Sequence, residues 1–361
     1  MAESTGSADE NKGRRRILIT GTSRFLGLRL AKRLENDPGV EHLVGVDLEE
    51  PPVPIEGLEF IRADIRNPLV ARILEATKVD TIVHTNIASS PGRLGGRSQM
   101  KESNVIGTMQ LLAAAQRATR VKKVVVKSST AVYGSHAGEP SLIPESYSDR
   151  QAHLSGYGKD CAEAETYVRD FGRRRPDVAL SILRTQNVIG PTVRTSMTEY
   201  LSLPVIPTAL GFDPRLQLLH EEDAVEALYR ALSMDSRGIF NIASDGVVYL
   251  SKAIRMLGRV QLPLLVPVAG SAAELLRRFN LVDFSDDQLK LLVNGRVVDT
   301  GRALRDLGFQ PRYTTEQAIN DFRDHRDKDH PPEPNAHPTW ERELFEYLRT
   351  KAESERKTTD A

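Results

Sequence analysis

Cysteine occurs once in the 361 residues, at Cys161, so no disulfide can close within the chain. A reducing compartment is the simplest setting, and we expect a cytoplasmic protein. Net charge is absent, because 49 Lys and Arg balance 49 Asp and Glu. No bulk field therefore draws the chain to nucleic acid or to an anionic membrane, and neither partner is expected. No apolar run approaches the roughly 20 residues that span a bilayer. The most apolar stretch, VQLPLLVPV at 260–268, is short and broken by proline. Residues 1–12 are polar and lack the hydrophobic centre of a signal peptide, so 1–14 read as a disordered arm. No group of His, Cys, Asp and Glu has metal-binding spacing, and no metal is expected. His84 and His220 read as structural residues at strand ends.

What is present is ordinary globular composition, 40% hydrophobic and 27% charged, enough for a large core in one or two domains. The stretch RILITGTSRFLG at 16–27 organises the rest. Ile17, Leu18 and Ile19 form the short apolar run of a strand buried on both faces of a parallel sheet. Thr20 and Gly21 end it, and residues 25–34 carry the apolar spacing of a helix. Free backbone N–H groups and the helix dipole converge at such a junction and make an anion site. Gly21 and Gly27 occupy the outer places of a TGxxGxxG dinucleotide loop, with Arg24 in the middle place instead of glycine. The second strand, 41–47, ends in Asp47, about 20 residues beyond the loop, where an acid can hold the adenosine ribose.

Strands at 58–62, 81–84, 123–127 and 178–183 alternate with helical patterns at 70–76, 102–118 and 156–169. That alternation predicts an α/β doubly wound parallel sheet of the Rossmann type, with ligands at the rim of strand C-termini. The expected dinucleotide-binding domain covers 15–194, with 216–246 in part. Beyond it we expect strands at 217–220, 239–242 and 297–299, and helices at 222–234, 250–257, 271–279, 286–292 and 302–307. Ser251 and Ser271 are candidate N-caps. Residues 195–215 and 247–325 would form a smaller mixed α/β substrate lobe over the rim. Residues 326–361 read as a proline-rich linker (331–338), an amphipathic helix (340–351) and a polar tail.

The chain resembles the extended short-chain dehydrogenase/reductases of the NAD-dependent epimerase/dehydratase group, and within it the UDP-glucose 4-epimerase-like proteins of actinobacteria. The matching pieces run in order from about 15 to 325: TGTSRFLG, Asp47, Asp64-Ile65, SNVIGT at 103–108, VVVKSSTAVYG at 124–134, Tyr157-Gly158, LRTQNVIGP at 183–191, LQLLHEEDAVEAL at 216–228, FNIASDG at 240–246 and LGFQP at 307–311. The resemblance implies that Gly21, Gly27 and the backbone around Arg24, with Phe25 and Leu26, hold a pyrophosphate. It implies that Asp47 holds the ribose, that Asp64 and Ile65 meet adenine, and that Thr85 and Asn86 line the nicotinamide side. NAD is the implied cofactor, NADP less so, because an acid at Asp47 repels a 2′-phosphate. Ser129 would hydrogen-bond the substrate, Tyr157 would be the acid/base, and Asn187 would meet the phosphates of a nucleotide sugar.

Two departures stand out. The family has Lys four residues after the tyrosine, on the same helix face. Here that place is Cys161, read as a small buried residue, and Lys159 lies about 200° round the helix. Lys127 shares a strand face with Ser129 and is the candidate replacement cation; as a bland alternative it is a lysine snorkelling at a strand end. The epimerase arginine four residues before His220 is also missing; Leu216 stands there, with Arg215 one residue off as the candidate. Asn294-Gly295-Arg296 lies near the place of a later family element but differs from it. The expected function is hydride transfer on a nucleotide sugar or related hydroxyl or carbonyl compound, by an epimerase/dehydratase-like oxidoreductase, with a homodimer as the candidate assembly. The alternative is a catalytically impaired NAD(H)-binding sensor or scaffold.

Overall fold

The computed structural model describes residues 13–89, 96–147, 154, 156–264 and 286–329. The expected arm, the helix at 271–279 with its Ser271 cap, the linker and the amphipathic helix at 340–351 lie outside the described residues. β1, Arg15–Thr20, is an inner strand of a seven-stranded sheet. Its run Ile17-Leu18-Ile19 is buried from both sides, as the unbroken apolar pattern requires. Five more strands follow in the chain: β2 (Val40–Asp47), β3 (Leu58–Arg62), β4 (Thr81–His84), β5 (Lys123–Ser129) and β6 (Ala179–Thr185). The edge strand Gly238–Ile242 completes the set, beside β6. All six neighbouring pairs are parallel, in the order edge strand, β6, β5, β4, β1, β2, β3.

Chain order reverses at β1, which has β2 on one side and β4 on the other. Right-handed crossovers put helices on both faces and leave a crevice beyond the C-terminal ends of β1 and β4. α1, Phe25–Leu34, packs on one face with Leu30, Ala31 and Leu34 buried beside the helix Glu221–Ser233. α2, Val70–Thr77, and the helices at 97–117 and Gly156–Arg174 cover the other. The expected helix at 102–118 starts earlier, at Arg97, and passes through a π-helical stretch, Ser103–Gly107. There Asn104 clamps the loop after β4 in both directions. Ala88 N–H donates to its Oδ1 at 2.8 Å, and its Nδ2 donates to Ala88 O at 2.9 Å. A π turn inside a helix often marks a functional site, and this one fixes a wall of the crevice.

A third core cluster, including Met197, Tyr200, Leu250, Ile254, Leu291 and Phe322, forms a lobe above the rim. Two helices and a pair of strands in it are absent from the sequence reading. They are the helix Ser196–Ser202, the parallel pair Val205–Ala209 with Val260–Leu264, and the helix Thr315–Asp329. Several expectations need correction. The strand at 217–220 is two fragments, Arg215–Leu216 and Leu219–His220, each pairing elsewhere. The segment 297–299 makes only an isolated bridge, Val298 to Ile143. Ser251 is not a cap: it donates to Asp213 through its backbone N–H and its hydroxyl, while Tyr249 holds the N-cap place. The helix Gly301–Leu307, expected in the lobe, packs Ala303 and Leu307 into the sheet core instead.

Candidate active site

The glycine loop is shaped by contacts that only glycine permits. Gly21 has φ +81°, a left-handed value. A Cβ on Gly27 would collide with the Gly21 carbonyl oxygen and lie 2.7 Å from Thr85 Oγ1. The loop thus presses against the end of β4, where Thr85 Oγ1 donates to Thr20 O at 2.7 Å. Asp47 closes the far side: Ser23 donates to its Oδ2 from N (2.9 Å) and Oγ (2.6 Å), and Leu48 N to its Oδ1. These features fit a dinucleotide: a backbone cradle that a Cβ would fill, at the start of a ten-residue helix, with an acid at the tip of β2. Arg24 sits in that cradle. Its Nε donates to Asn86 Oδ1 at 2.7 Å, tying the loop to the segment after β4. Burial lowers its pKa, against the fields of Asp47 and Glu49. Asp64 is engaged by Arg66, and the Ile65 side chain is buried against Gly107. Of this pair, Asp64 has a polar side chain and Ile65 only its backbone polar groups for a ligand.

A cavity of about 320 Å³ opens beyond the loop. Arg24, Phe25, Leu26, Thr85, Lys127, Ser129, Tyr157 and Asn187 all line it. Strand alternation aims Lys127 and Ser129 the same way, and the first turn of the helix Gly156–Arg174 brings Tyr157 to them. Lys127 Nζ donates to Tyr157 OH at 3.0 Å and to Ile87 O at 3.3 Å. Ser129 Oγ accepts from Ala131 N–H at 3.1 Å, which fixes the hydroxyl at the start of a short 3₁₀ turn. Cys161 lies one helical turn after Tyr157, fully buried. Lys159 is exposed on the opposite side of the helix.

Burial dominates the electrostatics here. It lifts the Tyr157 phenol well above the ordinary tyrosine value; Cys161 adds to the rise, while a hydrogen bond with Ser129 opposes it. Burial pushes the Cys161 thiol up to about 12, so it is a neutral thiol at pH 7. Lys127 is lowered by burial and further by Arg24. Beneath it, His84 is lowered to about 4 by burial and by Lys127.

Arg215 does not reach this cavity. It pairs with Tyr249 on a short strand and donates to Ser141 O at 3.1 Å. The one-residue offset from the family's arginine turns its side chain away. Residues not named as site candidates line the wall instead: Gln186, Arg194, Ser196 and Arg296. Arg296 arrives because Gly295, at φ +75°, lets the chain turn hard against the Arg215 backbone. Its guanidinium donates to Thr130 Oγ1 at 3.4 Å and Ser135 Oγ at 3.2 Å, next to Ser129. The Asn-Gly pair before Arg296 is a turn signal that could have located it. Among the described residues no His, Cys, Asp and Glu group could hold a metal, and no helix is long and apolar enough to cross a membrane.

Comparisons with known proteins agree with this architecture. An uncharacterized protein of Mycobacterium tuberculosis is 45% identical over 312 residues, 85% of this chain and 82% of that protein. The crystal structure of UDP-glucose 4-epimerase from Thermotoga maritima with UDP-glucose superposes with TM-score 0.68 at 19% identity, covering 87% of this chain and 99% of that one. MoeE5 in complex with UDP-glucuronic acid and NAD gives TM-score 0.67 at 22% identity, again over 87% and 99%. At these identities the two structures establish the fold. The description of the NAD dependent epimerase/dehydratase family matches residues 17–243, more than half of the chain, and the protein belongs to that family.

Proposed function

We propose that this protein is an NAD-dependent, epimerase/dehydratase-like oxidoreductase acting on a nucleotide sugar or a related hydroxyl or carbonyl compound. One observation carries the reading: Lys127 Nζ lies 3.0 Å from Tyr157 OH, in the cavity that Ser129 also lines. The cation that the family takes from the tyrosine's own helix is supplied here by β5. A bound nicotinamide supplies the hydride acceptor and donor. The protein's residues hold the substrate and move its proton. Gly21, Gly27 and the α1 N-terminus would cradle the pyrophosphate, with Arg24 adding a guanidinium fork. Asp47 would accept from the ribose, which favours NAD over NADP. Ser129 would orient the reacting oxygen, and Tyr157 would exchange its proton at OH. With its pKa raised, Tyr157 is mostly protonated at neutral pH; its deprotonated form would accept a substrate hydroxyl proton, and its protonated form would give one back. The Lys127 ammonium stabilises the phenolate whenever the proton leaves. Asn187 would meet the phosphates.

The test loads the purified protein with NAD and offers UDP, GDP and dTDP sugars. Sugar products are followed by NMR, and cofactor reduction by absorbance. Stereochemical conversion, dehydration or slow formation of NADH supports the reading. Tight NAD binding with neither conversion nor reduction across the panel overturns it in favour of a sensor or scaffold.

A further inference from the structure

Beyond the residues of the proposed reaction, one loop of the cavity wall is held by side-chain hydrogen bonds at both ends. After Asn187 the chain turns at Gly190-Pro191 and runs to the helix Ser196–Ser202. Glu221, 3% exposed, holds this loop from below. Its carboxylate accepts from Thr192 N (3.0 Å), Thr192 Oγ1 (2.5 Å) and Val193 N (2.7 Å). Gly190 lies so close to it that a Cβ would overlap the Glu221 side chain. On the other flank Thr195 and Thr198 bond reciprocally, Thr195 N to Thr198 Oγ1 at 2.8 Å and Thr198 N to Thr195 Oγ1 at 3.1 Å.

Between these two anchors stands Arg194. It lines the cavity and has no hydrogen bond or ion pair among the described residues. Two residues on, Ser196 also lines the cavity at 3% exposure, and its Oγ has no partner among the described residues. A buried hydroxyl without a partner is uncommon in a folded protein and calls for an explanation. Lys127, Arg24 and Arg296 line the same cavity, and among the described residues no Asp or Glu does, so the field of its described lining is positive. An arginine fork and a hydroxyl donor facing a positive cavity match a planar or tetrahedral oxyanion.

We propose that Arg194 and Ser196 form an oxyanion seat for the substrate, with Glu221 as the positioning residue of the loop; this rests on the reading of the cavity as a substrate site. Both the diphosphate of a nucleotide sugar and the carboxylate of an acidic sugar carry the required chemistry. Titration calorimetry on the full-length, NAD-loaded protein separates them, using UDP, UDP-glucose, UDP-glucuronic acid, GDP-mannose and dTDP-glucose. Arg194→Gln is expected to weaken binding tenfold or more, and Ser196→Ala severalfold. If the seat takes the diphosphate, UDP alone loses as much as the sugars. If it takes a carboxylate, only UDP-glucuronic acid loses. Glu221→Gln should reproduce part of the Arg194→Gln loss while NAD affinity stays at the wild-type value. Arg194→Lys should recover part of the loss.

An Arg194→Gln protein with unchanged affinities overturns the seat, and so does a wild type that binds none of the panel. The enzymatic reading fails separately. Ligands that bind through Arg194 without turnover leave the seat standing, and turnover with Arg194→Gln affinities unchanged removes the seat alone.

Discussion

The two ends of the cavity have diverged in opposite ways. The glycine end keeps its positions along the chain and changes a residue within them: Gly21 and Gly27 stay, and Arg24 replaces the middle glycine. The tyrosine end, on the proposed function, keeps an arrangement in space and changes where it comes from. The cation beside Tyr157 sits on β5, thirty residues earlier, instead of four residues later. The difference follows from what each end uses. A phosphate cradle is made of backbone, so its glycines cannot be supplied from elsewhere. A charge partner is a single atom, Nζ, and any element that reaches the phenol can carry it.

Lys127→Met is the largest break of this comparison. Met keeps the length and apolar stem and removes the charge. Turnover is expected to fall about 10²–10⁴-fold, the range of a positioned acid/base. Activity in the wild type should rise toward alkaline pH as Tyr157 deprotonates, and Lys127→Met should move that limb further alkaline. A pH–rate profile checks both. Unchanged activity in Lys127→Met would mean that Lys127 is not the charge partner of Tyr157 in the reaction.

His84 lies beneath both ends. Its Nδ1 faces Thr20 Oγ1 at 2.7 Å and its Nε2 faces Thr108 Oγ1 at 2.9 Å. Thr108 already donates to Asn104 O, so Nε2 carries the proton and Nδ1 accepts from Thr20. A second proton would end the bond that Nδ1 accepts from Thr20 and set a charge near Lys127 in a buried place. With a folded pKa of about 4 against 6.5, the unfolded chain binds the extra proton between those values. Stability is therefore intact above pH 6.5 and lost as pH falls toward 4, by about 3 kcal/mol. Chemical denaturation between pH 7 and 4 should show this slope, and His84→Gln should flatten it.

Gly27→Ala tests whether the cradle is as fixed as its contacts imply. The new methyl meets the Gly21 carbonyl and Thr85 Oγ1, both held by their own hydrogen bonds. We expect about 1–3 kcal/mol of strain and a comparable loss of NAD affinity. Calorimetry and thermal melts measure the two separately.

The sheet was legible from the sequence because most of its strands carry a short apolar run and they alternate with helical patterns. Lys127 was legible for a simpler reason, since residues two apart on a strand share a face. The lobe's helices at 250–257 and 286–292 were legible too, but its strands were not, because they are two to five residues long and pair segments about 30 to 55 residues apart, as Val205–Ala209 with Val260–Leu264. Arg215 and Arg296 show the same limit within the site. Which arginine enters the cavity is set by one residue of register and one glycine turn, and neither has a periodic signature.

Arg24→Ala has a smaller expected effect. Its fork bridges the loop to Asn86 and offers its remaining N–H groups to the cavity. Dinucleotide affinity should fall about tenfold, the scale of one hydrogen bond to a charged group. Arg24→Gly, which restores the family's loop, should bind at least as tightly as Arg24→Ala. If both bind like wild type, Arg24 serves only to brace Asn86.

Cys161→Ala is expected to do least, and it decides how complete the relocation to Lys127 is. The side chain is fully buried one turn from Tyr157, so its removal leaves a small gap worth about 1 kcal/mol of stability. The thiol, pushed up to about 12, carries no charge at neutral pH and cannot serve as the missing cation. Its coupling to Tyr157 raises the phenol's pKa, so removing it should lower that pKa slightly and leave turnover within about threefold. Cys161→Lys, by contrast, restores the family spacing but puts a second ammonium beside Lys127 in a buried place. It should lower the thermal midpoint and gain no rate. A rate gain in Cys161→Lys would show that the charge from β5 is an incomplete substitute. A collapse of activity in Cys161→Ala would place the thiol in the proton path with Tyr157.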